Sequence, residues 1–324
     1  RAESVDVGLL GADWSVDEAT GSWVIEKIYR VPDWSRGVKP PLAGPGLDVS
    51  EGDALLAVNG QPVSGESSLY AAFQGLSGKQ VVITLGRSGA EPHDEVVIPV
   101  RTERYLRYLD WVEHNRGVVD EASGGRIGYI HLPDTYVGSA TEFPKYYYAQ
   151  TRKQGLLIDG RFNGGGLDPD IFLTRLAKKP LSYWTRRYSE DHVTPVYVSN
   201  AHMALVTNRQ AGSGGDELPF EFRLKGMGPV IGTRTWGGLV GVSMFIGLVD
   251  GSGLTAPDYR IYSPGGQWVV ENEGVTPDIE IELDPAEMAR GHDAQLQKGI
   301  EVILEKIAAD PPTAPGHPPF PTRD

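Results

Sequence analysis

The sequence predicts two units of different class, a mainly β unit followed by an α/β unit with a largely parallel sheet and flanking helices. Residues 1–102 hold short β-type runs punctuated by turn signals. Beyond about residue 117, strand-like and helix-like segments alternate, and two glycine clusters fall where strands of this second region end. At 324 residues, 40% of them hydrophobic, the chain is long enough to bury two cores.

In the first unit the β-type runs are Trp23–Ile28, Ala54–Val58, Val81–Leu85 and Glu95–Val100, and one helical stretch, Ser68–Gly75, interrupts them. The segment Pro45–Gly60 places a Gly-Asp pair before a strand that closes in Asn59-Gly60, a two-residue hairpin turn. This pattern closely resembles the core signature of PDZ domains. The resemblance puts Gly8-Leu9-Leu10-Gly11 where such domains hold a peptide C-terminal carboxylate. It leaves open whether the groove binds a peptide or serves as a spacer.

Residues 103–118, rich in aromatic and charged side chains, read as a linker. The second unit then runs strand 126–132, helix near 139–153, strand 155–159, helix near 168–178, strand 203–207, helix from about 213, and strand 229–232. In such alternating layers, sites gather at the carboxyl ends of the strands. Leu296–Ile307 has the periodicity of an amphipathic helix, and the Pro-rich tail 309–324 suits only an extended path over a surface.

Charge and composition exclude several function classes. A formal net charge of -13 opposes nucleic acid and anionic membranes, and no apolar run approaches the roughly 20 residues that span a bilayer. With no cysteine, disulfides and thiolate chemistry are excluded, which fits a reducing, cytoplasmic setting. No His-x-x-x-His or paired-carboxylate spacing points to a metal, and no cofactor motif occurs. The start, Arg1–Val5, carries no leader pattern and reads as the middle of a longer protein.

The candidate for chemistry is Ala211-Gly212-Ser213-Gly214-Gly215-Asp216, a glycine turn opening a helix after a strand. A nucleophilic serine must stand clear of the sheet with backbone N–H groups beside it, and glycines allow that close approach. The other reading is a turn with an incidental serine. A second cluster, Asp159-Gly-Arg-Phe-Asn-Gly-Gly-Gly166, ends the preceding strand and supplies further N–H groups at the same sheet edge.

Together with Gly128–Pro133, Gly232–Gly238 and Glu271–Asp278, in this order after a PDZ-like unit, these motifs resemble the catalytic domain of the C-terminal processing and tricorn group of serine peptidases, over residues 117–290. The resemblance implies crotonase-like layering. The processing peptidases pair the serine with a lysine, but Gly238 stands where that lysine belongs, and Lys225 is too near the serine in sequence. The chain is therefore more similar to the tricorn type. For that type the resemblance implies Ser213 as nucleophile, a histidine base on a small domain upstream of the PDZ unit, and Glu271 completing the relay through a hydroxyl.

By the same resemblance the oxyanion would lie between the N–H of Gly214 and one from Gly164 or Gly165, with Asn163 holding the loop or merely forming the turn. The resemblance also implies peptide substrates and a homo-oligomer, a hexamer. Glu273 rivals Glu271, and Glu190 and Asp191 would suit a basic side chain at the cleavage position. Of the seven histidines, His131 and His202 sit on strands near the site and read as core residues, while His93, His114, His192, His292 and His317 read as solvated. On this reading the chain alone is inactive. The alternative is a non-catalytic peptide-binding protein that keeps both folds.

Overall fold

The computed structural model describes residues 5–32, 35, 37–167, 169–242, 244–320 and 322. Residues 1–4, position 168 at the start of one expected helix, and three positions of the tail lie outside the described residues. Contacts divide the chain into two compact units, residues 1–114 and 115–324.

The first unit is a six-stranded antiparallel sheet built from β1 (Ala12–Asp17), β2 (Ser22–Ile28), β3 (Ala54–Val58), β4 (Gln61–Pro62), β5 (Val81–Gly86) and β6 (His93–Val97), with a short helix α1 (Leu69–Ala72). The order is β1-β2-β3-β5-β6, so β1 is an edge, and β4 pairs with β3. Period-2 patterning makes one face of the sheet: Val81, Ile83 and Leu85 are fully buried and join Leu10, Ile25, Leu55, Leu69 and Phe73 in one core. Asn59 and Gly60 both have positive φ, as the two-residue turn between β3 and β4 requires. Beneath this face Asp53 is buried and receives the Arg87 guanidinium at 2.7 Å. The segment expected to link the units is largely the 19-residue helix α2 (Arg104–Ala122).

The second unit has one five-stranded parallel sheet. Its chain order is β7 (Ile127–His131), α3 (Val137–Gln150), β8 (Gly155–Asp159), α4 (Asp170–Leu176), β9 (Ser182–Arg186), β10 (Ser189–Thr194), β11 (His202–Thr207), α5 (Gly214–Leu224), β12 (Val230–Gly232), β13 (Met244–Gly247), β14 (Gly253–Ala256), β15 (Ile279–Glu280), α6 (Pro285–Ala289) and α7 (Ala294–Ala309). The sheet runs β15-β12-β11-β8-β7. Every residue of β7 and β8 is buried, the pattern of parallel strands covered on both faces. Small residues permit the close packing: a Cβ on Gly299 of α7 would meet the Leu157 side chain of β8 at 2.6 Å.

Two antiparallel hairpins, β9–β10 and β13–β14, depart from the predicted alternation. They have almost no buried face, so the periodicity that marks core strands is missing from them. The tail beyond α7 carries no regular structure in its described residues, as its prolines demand.

Candidate functional site

The carboxyl ends of β8 and β11 bring the two glycine clusters together. Ser213 sits between β11 and α5 with φ 56° and ψ -122°, a conformation that L-residues rarely adopt. A serine held this way stands out of the sheet at the mouth of a helix, the geometry of a nucleophile elbow. Backbone bonds fix it. Its N–H donates to the Gly238 carbonyl at 3.1 Å, and its own carbonyl accepts from Asp216 and Glu217 at 2.8 and 3.1 Å. The Ser213 hydroxyl itself has no hydrogen-bond partner among the described residues.

The glycine loop of residues 160–166 is packed directly against this turn. Gly165 has φ 82°, and a Cβ there would come within 2.7 Å of the Ser213 Cβ. Asn163 is fully buried; its Nδ2 donates to the Leu132 carbonyl at 2.8 Å and its carbonyl accepts from Gly212 at 3.1 Å. Asn163 therefore does hold the loop.

The two N–H groups expected as the second oxyanion donor are already engaged. The Gly164 N–H donates to the Pro133 carbonyl at 2.9 Å and the Gly165 N–H to Asn163 Oδ1 at 2.9 Å, so both are committed to the loop itself. Among the described residues neither Gly214 nor Gly166 donates to any acceptor. The Gly166 nitrogen lies 3.1 Å from where a Cβ of Gly214 would stand. That Cβ would run into Thr135 Oγ1, a buried hydroxyl with no partner among the described residues. Gly214 thus needs to be glycine for reasons of space.

Glu271 lies on a turn between Val270 and Asn272, both with positive φ. Its Oε2 accepts from the Leu239 and Val240 N–H groups, each at 2.7 Å. Glu273 is exposed; its N–H donates to the Val270 carbonyl at 2.9 Å and its carbonyl accepts from Arg234 at 2.6 Å. Asp216 grips the same segment from α5. Fully buried, it accepts from the Gly237 N–H at 2.7 Å through Oδ1, while Oδ2 has no partner among the described residues. Burial pushes its carboxyl above the usual carboxylate range, although hydrogen bonds from Thr235 and backbone amides pull the other way.

Neither position 238 nor Lys225 offers a lysine base to Ser213. A side chain at Gly238 would collide with the Trp236 ring. Lys225 caps the far end of the 11-residue α5, about 18 Å along the helix from Ser213, and pairs with Asp170 at 3.3 Å.

His131 is buried under the loop with Nε2 3.0 Å from the Arg161 carbonyl, and desolvation holds its imidazole below the usual histidine range. His202 begins β11, at the opposite end of the strand from Ser213, with Nε2 2.6 Å from the Asp310 carbonyl. His192 stacks on Trp184, and His93, His292 and His317 contact Asp48, Gln297 and Pro318. His114 is exposed. Glu190 and Asp191 lie on exposed β10, where Glu190 is 3.6 Å from Arg152. Both line a cavity of about 590 Å³ with Tyr148, Tyr183 and Tyr197, and no residue of the Ser213 turn lines it.

Beneath the site Asp159 and Arg161 form a fully buried pair at 2.7 Å, extended to Asp293 at 2.6 Å and to the Tyr129 hydroxyl at 2.8 Å. Burial favours a neutral Asp159, but the Arg161 guanidinium wins and holds it below the ordinary carboxylate range. Sequence reasoning passed over this network, Asp216 and Thr135. Asp216 had a visible signal, a carboxyl three residues after the serine on the first turn of a helix. Thr135 had none beyond a turn after a strand. Among the described residues no cluster of acidic, histidine or cysteine side chains could hold a metal ion, and no helix is long and apolar enough to cross a membrane.

A strained serine at a helix mouth, a glycine loop against it and a preceding PDZ-type sheet define a class, a serine peptidase domain with a PDZ domain before it. Residues 126–281 match peptidase family S41 and residues 8–102 match the tricorn protease PDZ domain. The chain belongs to the tricorn-type group of that family. It is 36% identical over 312 residues to tricorn protease homolog 1 of Streptomyces coelicolor, covering 95% of this chain and 29% of that protein. With the tricorn protease of Thermoplasma volcanium it shares 35% over 289 residues, covering 89% and 28%. The crystal structure of the tricorn protease superposes with a TM-score of 0.88 at 34% identity, covering 94% of this chain and 29% of that one. The chain thus spans about three tenths of the length of these relatives.

Proposed function

We propose that the chain is the catalytic portion of a serine peptidase acting on peptides, with Ser213 as nucleophile. The observation that carries this reading is the strained Ser213 turn with the Gly214 and Gly166 N–H groups beside it. Ser213 Oγ forms a bond to the scissile carbonyl carbon while its proton passes to a histidine. The carbonyl oxygen becomes an oxyanion held by the N–H of Gly214 and that of Gly166, a contribution of about 3–4 kcal/mol per donor. As the C–N bond breaks, the histidine returns the proton to the leaving amine, and water then cleaves the acyl-serine by the reverse route.

The histidine comes from the part of the protein upstream of these residues. Ser213 Oγ has no partner among the described residues, which favours that assignment over His131 and His202. Glu271 keeps Oε1 for the relay while Oε2 holds the 239–240 amides. A cytoplasmic location, a homo-oligomer and a preference for basic side chains at Glu190 and Asp191 belong to the same reading. The decisive experiment is labelling with a fluorophosphonate, on this chain and on the protein extended upstream through the preceding domain. The extended protein labels and its Ser213→Ala variant does not. Labelling of neither form would favour the alternative, a peptide-binding protein without catalysis; labelling of this chain alone would place the base among its own histidines.

A further inference from the structure

We propose that the first unit contains a carboxylate site, formed by the Gly11 N–H and the Arg107 guanidinium, which Glu103 occupies in cis, so that a peptide C-terminus enters only by displacing Glu103. The Gly8–Gly11 loop is the place where a PDZ fold presents backbone N–H groups to a carboxylate. Here a carboxylate is already present. The Gly11 N–H donates to Glu103 Oε1 at 2.7 Å, and Arg107 donates to Oε2 through Nε at 2.9 Å and Nη2 at 2.8 Å. One oxygen on a backbone amide and the other on a guanidinium fork is how a peptide terminus would be held.

The contact is not a by-product of helix capping. The Glu103 carbonyl accepts from the Arg107 N–H, so Glu103 directly precedes the first turn of α2. A residue there commonly turns its side chain back onto its own helix. Glu103 pairs with Arg107 of its own helix and also reaches Gly11, 92 residues away, where it is buried at 9% exposure. Arg107 is itself built in: Nη1 meets Asp13 and the Tyr29 hydroxyl at 2.7 Å each, and its guanidinium stacks 4.3 Å from the Tyr29 ring centroid. The cationic half of the site therefore stays when Glu103 leaves.

The remaining loop is closed as well. Gly8 donates to the Phe73 carbonyl, and Leu9 exchanges two bonds with Val100, all at 2.8–2.9 Å. The cleft between β1 and α1, lined by Leu10, Ala12, Trp14, Leu69 and Phe73, holds about 10 Å³. That is about one water, against the several hundred Å³ of ligand clefts. An internal carboxylate has a high effective concentration, so it suppresses the apparent affinity of any peptide terminus by the fraction of time it vacates the site.

The test is fluorescence anisotropy with a dye-labelled decapeptide ending in a free-carboxylate leucine, and with its C-terminally amidated twin. The wild-type chain should bind neither appreciably. Glu103→Ala should bind the free carboxylate on the order of 10–100-fold more tightly than wild type and leave the amidated peptide unbound. Adding Arg107→Ala should erase that gain. Equal binding by wild type and Glu103→Ala overturns the proposal, as does a folded Glu103→Ala with no carboxylate-dependent binding. Glu103→Gln keeps the packing volume if the alanine variant fails to fold, and it too must bind the free carboxylate better than wild type does.

Discussion

Ser213 and Glu271 hold the same short segment from two sides. Ser213 donates its N–H to the Gly238 carbonyl, and Glu271 receives the N–H groups of Leu239 and Val240 on one carboxylate oxygen. The segment is a backbone strap between Ser213 and Glu271. Glu271 braces this strap, and in the proposed reading it also completes the relay.

Two substitutions separate those tasks. Glu271→Ala leaves two amides unsatisfied and should destabilise the second unit by about 1–3 kcal/mol, read from denaturant unfolding. Glu271→Gln retains an acceptor oxygen and should unfold within about 1 kcal/mol of wild type. In the upstream-extended protein it should nevertheless lower kcat at least about tenfold with KM little changed. A kcat equal to wild type would leave Glu271 with the bracing task alone.

Gly165 should tolerate no side chain. Its positive φ and the 2.7 Å approach of a Cβ to Ser213 mean that Gly165→Ala must push the loop and the Ser213 turn apart. The expected outcome is a loss of about 1–3 kcal/mol in stability and about 100-fold in fluorophosphonate labelling rate of the extended protein. An unchanged rate would show that the loop does not set the Ser213 position.

Asp216 gives a pH signature. Its folded pKa is raised, so the folded state binds a proton more tightly than the unfolded chain. Its stabilising effect is complete below the unfolded value of about 3.9 and is lost as pH rises through the raised folded pKa. Asp216→Asn removes this dependence. The melting temperature of the variant should gain on wild type as pH rises through that window, and two parallel curves would contradict it.

The buried Asp159–Arg161 pair predicts the opposite slope. Asp159 is depressed, so its contribution is present above the ordinary carboxyl value and is lost as pH falls through its folded pKa. Arg161→Ala strands a buried carboxylate and should cost about 3–5 kcal/mol, measured by urea unfolding at neutral pH. A loss under 1 kcal/mol would mean that the pair does not support the loop above it.

Much of the fold was legible because its signals are local. Val81, Ile83 and Leu85 alternate with outward residues, β8 is one short apolar run, and Asn59-Gly60 is a turn that few other residue pairs can make. The hairpins β9–β10 and β13–β14 were not legible, since strands without a buried face carry no such periodicity. Ser213 could be picked out because glycines before and after it mark close backbone approach on both sides.

By itself, then, the sequence determined the order of the core strands and helices, the two glycine turns and the absence of a lysine at position 238. Each is a property of neighbouring residues, written in spacing and residue type. Only the tertiary structure decided which N–H groups are already engaged. Gly164 and Gly165 look equal to Gly166 in the chain, yet Pro133 and Asn163 take the first two. The carboxylate on Gly11 is likewise a contact across 92 residues. Whether a donor is open depends on acceptors brought from far along the chain, and no local pattern records them.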